Sequence, residues 1–350
     1  MENLYLREKL SELKDAFGLR GNITDAVILG GGLVNDTFRA DIDGECAGSY
    51  VFQRVSSYAY SDPRGIMDNI AAVQRHLETK GRRDLPSYLV KPDGGNYHVG
   101  EDGECWRIMP YIPSVYFTKI PDDLKRQGYE AEVELKIVAG AGHAFGALSE
   151  ALSDMDPSLL KETIPGFHDT PARIASMLKT ADTLGVRCDE TEFIRGAAKK
   201  AAAVCGLREK GLIPVRPVHN DTKLSNVLFD RASLEPLAVI DLDTLMPGLA
   251  VYDFADCARS VCKIYEDGRL RFSEERYEVR EKAWLDAAGS SMSSAARDVL
   301  RLTTWSVSIE LAARYLEDHM RGSRYFRTSY PGQNLDKARE LIYYAQTMNA

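Results

Sequence analysis

Two short apolar runs, each joined to acidic and amide residues at fixed spacing, constrain this chain more than any other feature. The segment 218–229 reads VHNDTKLSNVLF and places Asn226 five residues after Asp221. Fifteen residues after Asn226, a second apolar run ends at Asp241. Apolar runs this short, bordered by polar residues, are typical of buried strands that end at a turn. The spacing therefore predicts an active-site core of two aspartates and an asparagine.

These residue types are the ones that phosphoryl transfer requires. A carboxylate at Asp221 receives the proton of an acceptor hydroxyl. The side chains of Asn226 and Asp241 offer oxygen ligands to Mg²⁺, which takes one or two protein groups together with substrate phosphates. Asp243 is a further candidate ligand if the backbone stays extended after Asp241. His219 is expected to shape the loop. The alternative, a simple polar turn at this position, does not explain why Asn226, the apolar run 227–229 and Asp241 follow in this order.

Size and charge favour a small-molecule enzyme. With 350 residues the chain exceeds one typical domain, which favours two packed lobes with a groove between them. A formal net charge of −8 argues against a general nucleic-acid surface and is compatible with a local basic pocket. No apolar run is long enough to cross a bilayer, and the first residues do not resemble a secretion signal. We therefore expect a cytoplasmic protein whose partners are small molecules, without nucleic acid or membrane.

The cysteines favour neither disulfides nor zinc. Six are scattered along the chain without a C-x-x-C pair. Cys257 and Cys262 lie near the candidate site in sequence, and we expect them to be packing residues like the others.

The first third of the chain predicts a small β-rich lobe. Leu6, Leu10, Leu13 and Phe17 recur at helical spacing, so an amphipathic helix opens the chain. Short β-like runs and one helical stretch follow. The predicted strands are 26–29, 37–42, 50–54, 87–90, 97–99 and 105–110, and the predicted helix is 65–80.

The rest of the chain predicts a larger, mainly helical lobe. Apolar stripes indicate helices over 138–152 and 296–314. The predicted fold class is α+β, a protein-kinase-like fold of two lobes. We place the N-terminal nucleotide-binding lobe at 1–112, with a hinge at 109–112, and the C-terminal catalytic and acceptor-binding lobe at 113–350.

Several residues of the first lobe are candidates for nucleotide binding. Glycines between two strands allow backbone N–H groups to approach phosphates, although such a cluster also forms ordinary hairpin turns. The segment lacks the features of a Walker loop, and it opens a strand where a dinucleotide-binding fingerprint opens a helix. The candidate nucleotide-binding residues are Gly31, Gly32, Asn35, Thr37, Arg54, Met109, Tyr111 and Ile112.

Arg54 takes the strand-end position at which protein kinases place a phosphate-binding lysine. A guanidinium keeps the charge but changes the geometry, and a surface arginine is the alternative interpretation. Asp68 on the next helix is a tentative partner for Arg54. Asp253 and Asp256 lie where a helix is expected to start, so we interpret them as residues that cap the helix or complement its dipole.

Together these motifs resemble the aminoglycoside phosphotransferase and choline kinase superfamily over most of the chain. Within it, the resemblance is closest to bacterial N-acetylhexosamine 1-kinases. It is carried by the segments Asn35-Asp36-Thr37, Phe52-Gln53-Arg54, 163–171 (TIPGFHDTP), 219–223 (HNDTK) and 240–248 (IDLDTLMPG).

The resemblance implies that ATP and Mg²⁺ are used to phosphorylate the anomeric hydroxyl of N-acetylglucosamine or N-acetylgalactosamine. It also implies that Arg314 and Tyr325 bind the sugar beside Asp221. A guanidinium and a phenol suit ring hydroxyls or an acetamide. Without the resemblance, Arg314 reads as a surface helix residue and Tyr325 as an anchoring aromatic residue.

Two other functions stay open at the level of sequence. The same machinery serves other acceptors, such as an aminoglycoside, choline, homoserine or another sugar. A catalytically silent protein that binds nucleotide or sugar is the second alternative. The oligomeric state does not follow from hydrophobic periodicity.

Overall fold

The computed structural model describes residues 2–29, 35–57, 60–82, 85–289 and 291–349. The strands are β1 (Ile23–Ile28), β2 (Asp36–Ile42), β3 (Gly48–Val55), β4 (His98–Val99), β5 (Cys105–Pro110), β6 (Arg216–Val218), β7 (Val227–Phe229), β8 (Pro236–Val239), β9 (Met246–Gly248), β10 (Lys263–Glu266) and β11 (Arg269–Phe272). The helices are α1 (Glu2–Ala16), α2 (Pro63–Thr79), α3 (Ile120–Gln127), α4 (Glu134–Ala151), α5 (Thr170–Leu184), α6 (Asp189–Ala201), α7 (Ala203–Glu209), α8 (Ala250–Val261), α9 (Glu274–Ala288), α10 (Ser294–Arg297), α11 (Leu300–Met320) and α12 (Gln333–Gln346).

The N-terminal lobe is an antiparallel sheet between two helices. Its five strands follow the order β1-β2-β3-β5-β4. Because side chains alternate across a strand, β3 and β5 each present two different faces. Phe52, Trp106 and Ile108 pack with Leu10 and Leu13 of α1 on the outer face. We call the opposite face, which carries Gln53 and Arg107, the inner face.

The C-terminal lobe is mainly helical, as the sequence predicts. Its strands form three separate two-stranded antiparallel sheets, β6 with β9, β7 with β8, and β10 with β11. Helix α4 lies against α9 at very short range, since a side chain added at Gly142 or Gly146 would meet the backbone of Arg280 or Trp284 within 2.7 Å. A continuous apolar core joins this lobe to α2 and to the inner side of the sheet. The α+β, protein-kinase-like fold class is confirmed, while the boundary at residue 112 stays a prediction.

Two segments differ from the predicted elements. Residues 87–90 form no strand, although the N–H of Leu89 donates to the carbonyl of Ile108 at 2.8 Å. The short strand β4 pairs with β5 and not with that segment. The helix predicted over 296–314 is two helices, α10 and α11, and the second runs on to Met320 before Gly322 adopts a φ of 89°. Glycine tolerates that left-handed conformation, which ends a helix.

Within the described ranges, none of the helices has the length and apolar character needed to span a bilayer.

Candidate active site

Two short two-stranded sheets bring the predicted active-site residues together. Strand β6 pairs with β9, Val218 opposite Met246, so the loop that contains Asp221 lies beside the turn before β9. Strand β7 pairs with β8, and the N–H of Ile240 donates to the carbonyl of Asn226 at 2.9 Å. Asn226 and Asp241 therefore flank the open end of one hairpin. The short apolar runs of the sequence build this arrangement.

Two residues in the left-handed region turn the backbone into the site. Asn220 has a φ of 65° and Asp241 a φ of 64°, which is unusual for residues with a side chain. Asp253 on α8 holds the first of them, because its carboxylate accepts hydrogen bonds from the N–H groups of His219 (2.8 Å) and Asn220 (2.7 Å). Such local strain persists where neighbouring contacts enforce it. Asp253 thus fixes the loop that carries Asp221.

His219 has a structural position, as the sequence predicts. Its ring is fully buried, and its Nδ1 accepts the N–H of Asp221 at 3.3 Å. The Nε2 lies 3.0 Å from the carbonyl oxygen of Ile240, so Nε2 carries the proton and donates. The hydroxyl of Thr244 also donates to the carbonyl of His219 at 2.6 Å. These bonds tie the Asp221 loop to the Asp241 turn.

Lys223 joins the two candidate carboxylates. Its Nζ lies 2.5 Å from Oδ2 of Asp221 and 3.3 Å from Oδ2 of Asp241. Burial favours a higher pKa for Asp221, but the Lys223 ammonium outweighs it and holds that pKa below its ordinary value. The pKa of Asp241 is raised by burial, and the negative charges of Asp243 and Asp221 add to this effect against the opposing charge of Lys223.

The donor set fits a magnesium ion. The amide nitrogen of Asn226 donates to the carbonyl of Asp221 at 2.8 Å, which leaves its amide oxygen for another partner. Asp241 contributes a buried carboxylate that has the negative charges of Asp243 and Asp221 nearby. Hard oxygen ligands and unbalanced negative charge are what Mg²⁺ requires. Asn226 and Asp241 are the residues that would hold it.

Asp243 is engaged elsewhere. Its carboxylate is 1% exposed and forms an ion pair of 2.5 Å with Nη1 of Arg107. Its other oxygen accepts a hydrogen bond from the amide nitrogen of Asn35 at 2.5 Å. The short 3₁₀ turn Leu242–Thr244 breaks the extended backbone that a second metal contact required. Both oxygens of Asp243 therefore contact the N-terminal lobe, and Asp243 is not placed as a metal ligand.

Apart from Arg54, the candidate nucleotide-binding residues that the structure describes lie at the start of β2 and near the end of β5. Thr37 lies on the inner face, where its hydroxyl accepts the amide of Gln53 at 3.0 Å. Met109 is buried at the end of β5, and the N–H of Tyr111 donates to the carbonyl of Ser49 at 2.9 Å. Ile112 follows in the irregular segment after β5, and its carbonyl accepts the hydroxyl of Ser114. Gly31 and Gly32 lie outside the described residues.

Arg54 does not join this group. It lies on the outer face of the sheet, opposite Asp36 of β2 and Trp106 of β5. Its guanidinium pairs with Asp36 and lies 3.7 Å from Glu104. The tentative partnership with Asp68 is wrong, because Asp68 pairs with Lys161 at 2.7 Å. Alternation along β3 directs Gln53, and not Arg54, to the inner face.

The two predicted acceptor residues lie together and connect to the catalytic loop. The guanidinium carbon of Arg314 is 5.9 Å from the ring centres of both Tyr325 and Phe167. Phe167 packs edge-on against His168, with ring centres 4.8 Å apart. His168 in turn reaches the carbonyl of Asn220, with Nε2 at 3.4 Å. A chain of contacts thus links Arg314 and Tyr325 to the residue before Asp221.

Buried polar bonds support this acceptor side. Glu310 on α11 lies 3.2 Å from Nδ1 of His168 and accepts the hydroxyl of Thr170 at 2.6 Å. Asp318 accepts the N–H of Tyr325 at 2.9 Å, so Tyr325 is held at the surface with 61% of its area exposed. The ring of Tyr325 packs edge-on against Phe326, with ring centres 4.9 Å apart, and its exposed part can meet a ligand.

Sequence reasoning missed four functional positions. Lys223 lies two residues after Asp221 in the same motif, and this proximity in sequence is the one feature that could have predicted its role in the site. Arg107 is the single charged residue of the apolar strand β5, and Glu310 interrupts the apolar face of α11. Asp253 lies in the first turn of α8, but Leu249 is the cap of that helix and Asp256 pairs with Arg259. Neither aspartate caps the helix, but Asp253 does lie in its first turn, where an acidic side chain complements the helix dipole as expected.

Comparison with known proteins shows the family and the fold. The model of the phosphotransferase enzyme family matches residues 25–288. A microcompartment-associated aminopropanol kinase is 17% identical, with a TM-score of 0.65 and coverage of 96% of each chain. A choline/ethanolamine kinase family protein from Mesorhizobium loti is 16% identical, with a TM-score of 0.61 and coverage of 99% of this chain and 97% of that one. An amicoumacin kinase in complex with AMP-PNP and Ca²⁺ is 13% identical, with a TM-score of 0.62 and coverage of 98% and 96%. At these identities the likeness shows the fold.

Proposed function

This chain belongs to the phosphotransferase enzyme family, and on that premise we propose that it transfers phosphate from ATP, with Mg²⁺, to the anomeric hydroxyl of N-acetylhexosamines. The observation that carries the choice of acceptor is the contact chain from Asn220 through His168 and Phe167 to Arg314 and Tyr325. These contacts connect the loop of Asp221 to a donor-rich, aromatic surface, and such a surface suits a neutral ring with hydroxyls and an acetamide.

The charges of the acceptor side favour a neutral acceptor. A cationic aminoglycoside or choline needs unpaired carboxylates or an aromatic cage. Here the carboxylate of Glu310 is paired with His168, and that of Asp256 with Arg259. The aromatic ring of Tyr325 already faces a guanidinium. The same fold serves amine-bearing acceptors in the aminopropanol and choline/ethanolamine kinases, so these acceptors belong in the test.

Each residue has a role in this proposal. Asp221, held by Lys223 and kept ionised by it, accepts the proton of the sugar hydroxyl. Bound Mg²⁺ supplies charge neutralisation for the transferred phosphate, and Asn226 and Asp241 would hold it. Lys223 adds a positive charge on the same side, where the transition state carries charge on its equatorial oxygens.

The nucleotide residues complete the site. Met109, Tyr111 and Ile112 form the segment against which the base would lie, and Thr37 lies on the same face of the sheet as Gln53. The predicted contacts of Gly31 and Gly32 with the phosphates stay a prediction.

The test is an ADP-release assay with ATP and Mg²⁺ over N-acetylglucosamine, N-acetylgalactosamine, galactose, glucose, choline, 1-amino-2-propanol and kanamycin. We expect turnover of an N-acetylhexosamine to a product whose phosphate is released by mild acid, as an anomeric phosphate is. Asp221→Asn should lower kcat by a factor of about 10²–10⁴. Asp230→Asn, which removes a carboxylate from a surface turn, is the matched control. Turnover of choline or kanamycin alone would show that the acceptor is not an N-acetylhexosamine. Nucleotide binding without any product would favour a binding protein.

A further inference from the structure

An ion pair buried between the two lobes is not used by the proposed chemistry. Arg107 is fully buried on the inner face of β5, directly opposite Gln53 of β3. The Oε1 of Gln53 accepts hydrogen bonds from Nε (2.9 Å) and Nη2 (2.7 Å) of Arg107. The ring of Tyr88 lies 5.1 Å from the guanidinium carbon. The sheet thus holds the guanidinium in one orientation, with Nη1 directed away from Gln53.

That Nη1 reaches the C-terminal lobe. It lies 2.5 Å from Oδ1 of Asp243, in the turn two residues after the candidate metal ligand Asp241. The second oxygen of Asp243 accepts the amide of Asn35, and the amide oxygen of Asn35 accepts the N–H of Ser56 at 2.9 Å. Both oxygens of Asp243 are therefore held by residues of the N-terminal lobe.

Such an arrangement calls for a role beyond stability. A buried ion pair is weak evidence for stability, because the cost of removing two charges from water offsets their attraction. Its best-attested use is to fix one arrangement against alternatives. Here the contacts fix the position of the start of β2, through Asn35, relative to the turn that holds Asp241.

We propose that Arg107, Asp243 and Asn35 form a positioning latch that holds the nucleotide-binding sheet in register with the metal-binding turn. The proposal rests on the proposed phosphotransferase function. It deepens that function by giving Asn35, a candidate nucleotide-binding residue, a positioning role, because its amide nitrogen and oxygen are hydrogen-bonded to Asp243 and Ser56. Asp243 is the part of the latch in the C-terminal lobe, and Arg107 and Asn35 are its partners in the N-terminal lobe. Asn35 acts through Asp243 and is therefore a positioning residue.

The experiment compares Arg107→Lys and Asp243→Asn with the matched control Arg276→Lys. Arg276 is also buried and pairs with Glu134 at 2.7 Å, but both residues lie in the C-terminal lobe. The readouts are the Kd of Mg²⁺·AMP-PNP by calorimetry, the KM values for ATP and acceptor, kcat, and Tm. The nucleotide titration needs no acceptor, so it remains informative if the acceptor is misassigned.

We expect Kd for Mg²⁺·AMP-PNP to rise about tenfold in both latch variants, with kcat reduced and the acceptor KM unchanged. The control should lose Tm but keep nucleotide affinity within about twofold. The double variant Arg107→Lys/Asp243→Asn should be no worse than either single variant, because the two residues act as one unit.

The contrary result is a fall in Tm that matches the control, with nucleotide affinity retained within about twofold. That result would reduce the pair to a structural contact and overturn the latch. If a charge variant does not fold, Asn35→Ala keeps the ion pair and tests the same link. An unchanged nucleotide Kd in a folded Asn35→Ala would equally overturn the proposal.

Discussion

The Oδ1 of Asp253 accepts a 2.7 Å hydrogen bond from the backbone N–H of Asn220, the residue immediately before the candidate base. The other oxygen accepts the N–H of His219, and the hydroxyl of Thr222 donates to the backbone carbonyl of Asp253. One residue of α8 thus accepts hydrogen bonds from three residues of the loop, His219, Asn220 and Thr222. Because Asn220 adopts a left-handed conformation, the position of Asp221 depends on these bonds.

We expect Asp253→Asn to lower both kcat and stability. The amide presents one acceptor where the carboxylate presents two, so one N–H of the loop is left without a partner in a buried place. Unfolding in urea should show a loss of about 3 kcal/mol, with kcat reduced more than the KM for ATP.

A surface aspartate provides the control for this variant. Asp156→Asn alters a cap on the exposed turn Pro157–Leu159, where the lost stability should be about 1 kcal/mol or less. Equal effects of the two substitutions on kcat would show that Asp253 does not position the loop.

Lys223→Met should lower kcat by roughly tenfold to a hundredfold and strengthen the binding of Mg²⁺. The ammonium stabilises charge near the transferred phosphate, but it also competes with a metal for Asp241. Calorimetric titration of the nucleotide-free protein with Mg²⁺ checks the second effect, and steady-state kinetics check the first. Lys136→Met, which breaks an exposed pair with Glu235, is the control. Weaker Mg²⁺ binding in Lys223→Met would contradict the competition.

The sequence predicted the parts of the site that lie on local patterns. Asp221 and Asp241 follow short apolar runs and Asn226 precedes one. The ends of these runs meet when β6 pairs with β9 and β7 with β8, so the spacing along the chain predicted their proximity. The strand β5 was predicted with its observed bounds because its sequence, CWRIMP, is mostly apolar and ends at a proline. Five of its six residues are buried.

The contacts between lobes were not predictable in this way. Whether Gln53 or Arg54 faces the inner side depends on the register of β3 against β2 and β5, and a shift of one residue exchanges the faces. The partner of Arg107 lies 136 positions along the chain (243 − 107), so no local period connects them. The break between α10 and α11 was also not predicted, because the apolar pattern continues across it.

Arg314→Ala should raise the KM for the acceptor and leave the KM for ATP unchanged. The guanidinium lies between Phe167 and Tyr325, about 6 Å from each ring, and would donate to the acceptor there. A loss of about 1.5–3 kcal/mol corresponds to a rise of roughly ten- to more than a hundredfold in the KM for the acceptor. Arg321→Ala, seven residues along the same helix and paired with Glu317, is the control. An equal rise in the KM for ATP would remove Arg314 from the acceptor site.

The buried pair of His168 and Glu310 should make stability depend on pH. Burial lowers the pKa of His168, but the adjacent Glu310 carboxylate outweighs it, with help from Asp256 and against Arg314, and raises that pKa above its ordinary value. A raised histidine pKa means that the folded state binds the proton more tightly than the unfolded state. The contribution is therefore complete below the ordinary histidine pKa of about 6.5 and is lost as pH rises through the folded value.

We expect His168→Gln to be less stable than the unsubstituted protein at pH 6, and the difference in the free energy of unfolding to shrink as pH rises toward 9. The expected change is about 1.4 kcal/mol for each unit by which the pKa is raised. Urea unfolding at each pH measures it. His76→Gln provides the control, since the partner of His76, Asp154, is exposed. A difference that grows with pH would mean that His168 is neutral in the folded protein, and its bond to Glu310 would then be a neutral hydrogen bond that holds the acceptor side without a charge.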